Sequence, residues 1–478
     1  MCIISIYGEK RPRESARRRS FCMNEIILNG NKIHFIGIGG IMMSSLAMMA
    51  LENGKTVTGS DRAPSNLTDA LLEKGAEIYF GQCEENIDRA NPDIVVYTAA
   101  IHPDNPEFKK AKGRGIPMFS RAEYLGILMT AYTHRIGVSG THGKSTTTGM
   151  LSAITLASQT DPTILCGAEL ACLDGAAFRM GAKEHLVYES CEYTDSFLSF
   201  HPTVAVVLNI DLDHVDYFHS LEQMKQSFYR SALESEFVVI NLDDQSTADT
   251  FASYPQKVIT VSQKDPSADY YAKDVRFEKG CGVFTLMKKD AELGRIRLSV
   301  PGEHNVSNAL CASAAALACG IEIDAIVKGL LAFGGAVRRF EKKGSVNGVD
   351  VYDDYAHHPT EIEATLRTAK ALGYKRVVTV FQSHTYSRTA GLLTEFAKAL
   401  SLSDLTLIAP IFAAREVNTY GVSAFDIACR MENAMAFDSV EKTLAALKEQ
   451  AQEGDMVITM GAGDIYRLGM DFLSQGKN

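Results

Sequence analysis

The chain has 478 residues, 46% hydrophobic and 22% charged, with a net charge of −10. That length exceeds what one core serves, so two to four domains are expected. The acidic balance argues against a generic nucleic-acid or membrane-surface binder and for small ligands gripped locally. No run of about 18 apolar residues is present to span a bilayer. Ten cysteines occur without CxxC or zinc-type spacing. They read as reduced, buried thiols of a cytosolic protein.

The first 22 residues, MCIISIYGEKRPRESARRRSFC, hold six Lys/Arg and two Glu with no periodicity. They lack the apolar run of a secretory signal. Residues 1–23 read as a disordered basic head, or as an over-long start with the initiator at Met23.

KIHFIGIGG (32–40) is a predicted strand entering a glycine turn, SSLAMMALENG a helix, and TVTGSD (56–61) and DIVVYTAA further strands. Such alternation means a parallel sheet with helices on both faces. Gly37, Gly39 and Gly40 would let a diphosphate approach the backbone at a helix N-terminus. Ser60 and Asp61 fall at a strand end where a ribose-binding acid would sit. Met42 occupies the third glycine position of a dinucleotide fingerprint. NAD, a uridine diphosphate sugar and a plain tight turn therefore all remain open from these residues.

HRIGVSG restarts the pattern and runs into GTHGKSTTT (140–148). Gly140, Thr141, His142 and Gly143 form the turn, and Lys144, Ser145 and Thr146 open the next helix. Backbone N–H groups would wrap the β- and γ-phosphates, Lys144 would neutralise them and the Ser145 hydroxyl would ligate Mg²⁺. Val138 stands where a regular Walker A loop has glycine. Strands ending in VYES and TVAVVLNI would bring Glu189, Glu192, Asp211, Asp213, His214 and Asp216 to the same crevice as hard ligands for a cation. VFTLMKK and RIRLSV read as an edge hairpin. A third series, VDVYDDY, RVVTVFQ, LTLIAPI and DMVITMGAG, begins near Gly348. Boundaries fall near residues 134 and 342.

GTHGKSTTT, ESCEYTDSFLSFHP, NIDLDHVDYF, GEHNVSNA, RRFE and DDYAHHPTEI occur in this order from residue 140 to residue 362. In these motifs the chain resembles the Mur ligases, ATP-dependent enzymes that build the peptidoglycan stem peptide, and among them the members that add the first amino acid. The resemblance spans residues from about 30 to the C-terminus. It implies an α/β fold of three domains: a Rossmann-like UDP-sugar domain (24–134), a P-loop ATPase-like ATP-binding domain (135–342) and a C-terminal Rossmann-like domain (343–478). It implies ATP and Mg²⁺ as cofactors, UDP-N-acetylmuramate and L-alanine as substrates, a cytoplasmic monomer or homodimer, and no nucleic-acid or membrane partner.

The resemblance also implies roles. Lys144 would hold the ATP phosphates; Ser145 and Glu189 would hold one Mg²⁺ and His214 a second metal. Asn305 and Asn308 would meet the adenine side. Arg339 and Asp354 would close over phosphates and ribose. Glu192, His357 and Arg388 would line the substrate side, the last two facing the incoming amino acid. The chain departs from the family pattern at Cys191 and Thr194, where acids are common, at Thr385, where arginine is common, and at Met42 and Gln82. A recycling member that couples a recovered tripeptide is the alternative reading.

Overall fold

In the computed structural model, residues 26–474 are described, apart from 28, 99–100, 215–216 and 415. The basic head and Asp216 lie outside the described residues. The chain packs as two compact units: residues up to Thr133 with Ser196–His201, and His134–Asp195 with Pro202 onward.

The first unit is built on five parallel strands, β1 (Lys32–Ile36), β2 (Thr56–Asp61), β3 (Glu77–Phe80), β4 (Ile94–Tyr97) and β5 (Met118–Ser120), in the order β3-β2-β1-β4-β5. β1 turns at Gly37–Gly40 into helix α1 (Ile41–Glu52). The strand order reverses beside β1, the kind of position where open α/β sheets form a crevice.

The second unit holds two sheets. The larger has ten strands: β6 (His134–Ser139), β7 (Thr163–Leu170), β8 (Ala176–Arg179), β9 (His185–Glu189), β10 (Val204–Val207), β11 (Phe237–Asn241), β12 (Lys257–Ser262), β13 (Tyr270–Glu278), β14 (Cys281–Lys288) and β15 (Ala291–Pro301). Their order is β15-β14-β13-β12-β11-β10-β6-β9-β7-β8, parallel from β13 to β7 and antiparallel at both edges. β6 and β10 are buried almost throughout, as their unbroken apolar runs require. Helices α2 (Lys144–Ala157), α3 (His304–Ala318) and α4 (Ile323–Ala332) pack into this core, with Ile154, Ala312 and Leu330 buried.

The smaller sheet has β16 (Glu341–Val346), β17 (Val349–Asp354), β18 (Arg376–Phe381), β19 (Leu405–Ile408), β20 (Ala434–Ala436) and β21 (Asp455–Met460), in the order β16-β17-β21-β18-β19-β20. Only β16 runs antiparallel to its neighbour. Helices α5 (Pro359–Ala371) and α6 (Tyr386–Gly391) follow β17 and β18, so they start at the carboxyl ends of those strands.

The cysteines depart from the sequence reading. The eight described thiols are free; Cys166 and Cys311 are buried, whereas Cys83 and Cys429 are exposed. Among the described residues no helix is long and apolar enough to cross a membrane.

Candidate active site

The phosphate-type loop joins β6 to α2. Gly140 (φ 141°) and Gly143 (φ 85°) occupy the left-handed region, and a Cβ at Gly143 would come within 2.9 Å of Asn308 Oδ1. Glycine is required at both on conformational grounds. The loop is pinned from below: Asn209 Oδ1 accepts from the His142 backbone N–H at 2.8 Å, and Thr141 Oγ1 donates to the Asp211 carbonyl at 3.0 Å. Lys144 Nζ folds back to donate to the carbonyls of Gly140 (2.6 Å) and Thr141 (3.0 Å) and to Glu192 Oε1 (3.0 Å). Burial pulls the Lys144 ammonium down, but the neighbouring charges, Glu192 first, outweigh it and leave its pKa raised.

Two carboxylates stand at the carboxyl end of β9, Glu189 as its last residue and Glu192 just beyond it. The Ser145 hydroxyl donates to Glu189 Oε2 at 2.8 Å, and the Gly167 N–H donates to the same oxygen at 3.1 Å. A side chain at Gly167 would press on that carboxylate, with a Cβ only 2.7 Å from Oε1. Glu192 is wholly buried, and its Oε2 has no hydrogen-bond partner. His214 Nε2 lies 3.5 Å from Glu192 Oε1, on a residue held at φ 51°. The Ser145 hydroxyl and the Glu189 carboxylate are oxygen donors of the kind that suits a hard divalent cation.

The smaller sheet supplies the opposite wall. A cavity of about 870 Å³ is lined by His142, Thr146, Asn305, Asn308, Arg339 and Asp354 among others. Asn308 Nδ2 donates to Asn305 Oδ1 at 3.0 Å, so the two amides share one face of α3 as their spacing predicts. The Arg339 guanidinium stands 5.0 Å over the Tyr355 ring. Asp354 accepts from the Phe340 and Ala356 N–H groups at 2.7 Å each. Burial pushes its carboxyl up to about 6, against the pull of Arg339. His357 Nδ1 lies 3.0 Å from the Tyr355 carbonyl, and burial lowers this imidazole to about 4. Arg388 Nη2 is paired with Asp213 Oδ1 at 2.7 Å.

His142 of the loop meets Glu361, Asp211 and the His358 ring, and of these Glu361 and His358 were not singled out in the sequence. His142 Nδ1 lies 3.2 Å from Glu361 Oε1, and its Nε2 lies 3.6 Å from Asp211 Oδ2. Burial would lower His142, but the adjacent Asp211 and Glu361 carboxylates outweigh it and raise the imidazole to about 9. The signal was available in HHPTE: a proline at the first helical position and an acid three residues after His358 mark a helix start. Glu361 completes a capping box there while facing the loop.

In the first unit, Gly37 (φ 83°) and Gly39 shape the turn after β1. The Gly39 N–H donates to Asp61 Oδ2 at 2.7 Å, and the N–H groups of Gly37 and Ile38 both donate to the Ser60 carbonyl. Gly40 is the residue before α1. Ser60 keeps its carbonyl at the turn while its side chain faces inward. Its side chain is fully buried and donates to Glu107 at 2.6 Å, so it braces the turn from inside. Glu107, in the first turn of the helix Pro106–Gly113, is also wholly buried and accepts from Asn86 Nδ2 at 2.5 Å.

A glycine-lysine-serine loop between strand and helix, with acids at neighbouring strand ends, is the arrangement of a nucleotide-phosphate site. Residues 32–133 match the Mur ligase family catalytic domain, 138–316 the Mur ligase middle domain and 338–463 the Mur ligase glutamate ligase domain. The chain belongs to the Mur ligase family. A UDP-N-acetylmuramate–L-alanine ligase of Agathobacter rectalis is 47% identical over 451 residues, 93% of this chain and 98% of that protein. Among solved structures, a UDP-N-acetylmuramate-alanine ligase from Thermotoga maritima superimposes with a TM-score of 0.79 at 27% identity, covering 93% of this chain and 98% of that one. A murein peptide ligase from Psychrobacter arcticus gives 0.72, also at 27% identity and with the same coverage.

Proposed function

We propose that the chain is an ATP-dependent ligase that joins L-alanine to the lactyl carboxylate of UDP-N-acetylmuramate, releasing ADP and phosphate, in the cytoplasmic stage of peptidoglycan synthesis. The observation that carries this reading is the 47% identity, over 93% of the chain, to a protein of that name.

A carboxylate and an ammonium do not condense unaided at neutral pH, so the carboxylate oxygen must become part of a leaving group. In this reading the lactyl carboxylate oxygen attacks the γ-phosphorus of ATP, the bond to the bridging oxygen breaks, and ADP leaves. The L-alanine amine, having lost its proton, then attacks the acyl phosphate carbonyl. The C–O bond to phosphate breaks and the amide forms. Catalysis of such transfers rests on positioning and on fixed charges where negative charge develops.

Each named side chain has a place in that scheme. Lys144 meets the β- and γ-phosphates above the loop of Gly140, Thr141, His142 and Gly143, with Ser145 and Thr146 at the helix start. Ser145 and Glu189 would hold Mg²⁺, and His214 beside Glu192 would hold a second cation. A cation held by these residues would supply neutralisation of phosphate charge and polarisation of the transferred group. Asn305 and Asn308 face the base, and Arg339 and Asp354 close over phosphates and ribose. His357 and Arg388 receive the amino acid, and the glycine turn with Asp61 receives the UDP-sugar. The domains are 24–134 for the sugar nucleotide, 135–342 for ATP and 343–478 for the amine.

Mass analysis of the product tests the reading: UDP-N-acetylmuramate, ATP and L-alanine should give a product heavier by one alanine residue. A peptide amine is the second reading, favoured by the likeness to the murein peptide ligase at the same 27% identity. Monomer and homodimer are both compatible with the fold.

A further inference from the structure

We propose that Asp213 is a positioning residue for the amine substrate: through Arg388 it aims the guanidinium that receives that substrate's carboxylate. The inference rests on the ligase reading above and adds a residue to it.

Asp213 follows β10 in the larger sheet's half of the unit, whereas Arg388 lies on α6 beside the smaller sheet. Their contact is short, Nη2 to Oδ1 at 2.7 Å, and both side chains are almost fully buried, at 11% exposure for Arg388 and 8% for Asp213. The same Asp213 oxygen accepts from the His214 backbone N–H at 2.7 Å, so the carboxylate cannot swing without releasing a turn whose His214 is already left-handed. Asp213 is therefore a rigid acceptor.

Asp213 occupies only one terminal nitrogen of Arg388. Nη1 lies 3.5 Å from His384 Nδ1, a long contact, and His384 is itself stacked on Phe412 with centroids 5.6 Å apart. Among the described residues no second carboxylate pairs with this guanidinium. A planar fork has five donors, and one anchored edge leaves another for a bidentate carboxylate. An unanchored arginine would lose rotamer freedom on taking that ligand; this one is already held. The chain has Thr385 and not a second arginine on this segment, and Thr385 Oγ1 accepts from the Arg388 N–H at 3.4 Å, which fixes the start of α6.

A tie that only braces the fold would act on stability and on all substrates alike. Asp213→Asn keeps the shape and the acceptor for the His214 N–H but removes the charge. Steady-state kinetics on the whole protein should show KM for L-alanine raised about tenfold or more, the worth of one charge-assisted contact. KM for ATP should stay near wild type, while the melting temperature falls because a nearly buried arginine loses its charge partner. Arg388→Lys should raise the same constant, and the double variant should be no worse than the worse single one. An unchanged KM for L-alanine in Asp213→Asn overturns the proposal, and so does a matched rise in KM for ATP. If the wild type does not turn over L-alanine at all, the ligase reading falls and this inference falls with it; wild-type turnover with an indifferent Asp213→Asn defeats this inference alone.

Discussion

Lys144 and Glu192 meet as a buried ion pair, Nζ to Oε1 at 3.0 Å, at the foot of the phosphate-type loop. Each is the other's main electrostatic compensation in a region where water is scarce. Glu192 has no exposed surface, and its second oxygen is unpaired. The pair therefore links a stability cost to the group assigned to the phosphates.

Lys144→Met should strand the Glu192 carboxylate and cost about 3–5 kcal/mol of stability. It should also cut phosphate release by at least about a hundredfold, since a fixed charge aimed at the transferred phosphoryl group is lost. Adding Glu192→Gln should restore the melting temperature and leave activity lost. Recovery of both by the double variant would contradict a phosphate role for Lys144.

Glu189→Gln should raise the Mg²⁺ concentration needed for half-maximal activity about tenfold or more, because an amide keeps the hydrogen bond from Ser145 but carries no charge. KM for L-alanine should not follow. A Mg²⁺ titration at saturating substrates reads this directly.

The His142 imidazole, raised to about 9 between Asp211 and Glu361, gives a signed pH dependence. Between its ordinary value of 6.5 and about 9 the folded chain binds a proton that the unfolded chain has released. Its contribution is fully present below pH 6.5 and is lost as pH rises through about 9. Melting temperatures across pH 6.5 to 9.5 should fall less steeply for His142→Asn than for the wild type. Parallel slopes would show that the imidazole is neutral in the fold.

Gly329 sits where α4 crosses the helix that carries the phosphate loop. A Cβ there would lie 2.4 Å from Ile154 Cα and 2.6 Å from its nitrogen. Because backbone cannot rotate away, Gly329→Ala should force α2 and α4 apart and destabilise the chain by about 1–3 kcal/mol. Denaturant unfolding measures it, and a neutral result would mean the helices have slack.

The strands and glycine turns were legible because their signals are local: continuous apolar runs for β6, β10 and β21, and glycine where φ is positive at Gly140 and Gly143. Lys144, Ser145 and Glu189 were legible because a loop and a strand end in a parallel sheet face one crevice. Glu361 and the Asp213–Arg388 pair were not, since these contacts join residues 219 and 175 positions apart, His142 to Glu361 and Asp213 to Arg388. No local pattern encodes such a pairing. The burial of the Ser60 side chain was hidden for a related reason: its strand-end position was visible, but its contact with Glu107 joins residues 47 positions apart.

The measurement that bears most directly on the ligase assignment is phosphate release from ATP with Mg²⁺ and UDP-N-acetylmuramate, comparing L-alanine with the tripeptide L-alanyl-γ-D-glutamyl-meso-diaminopimelate as the amine. The assignment predicts a higher kcat/KM with L-alanine and no sustained release when the amine is omitted. A higher kcat/KM with the tripeptide would contradict it and make the chain a recycling ligase.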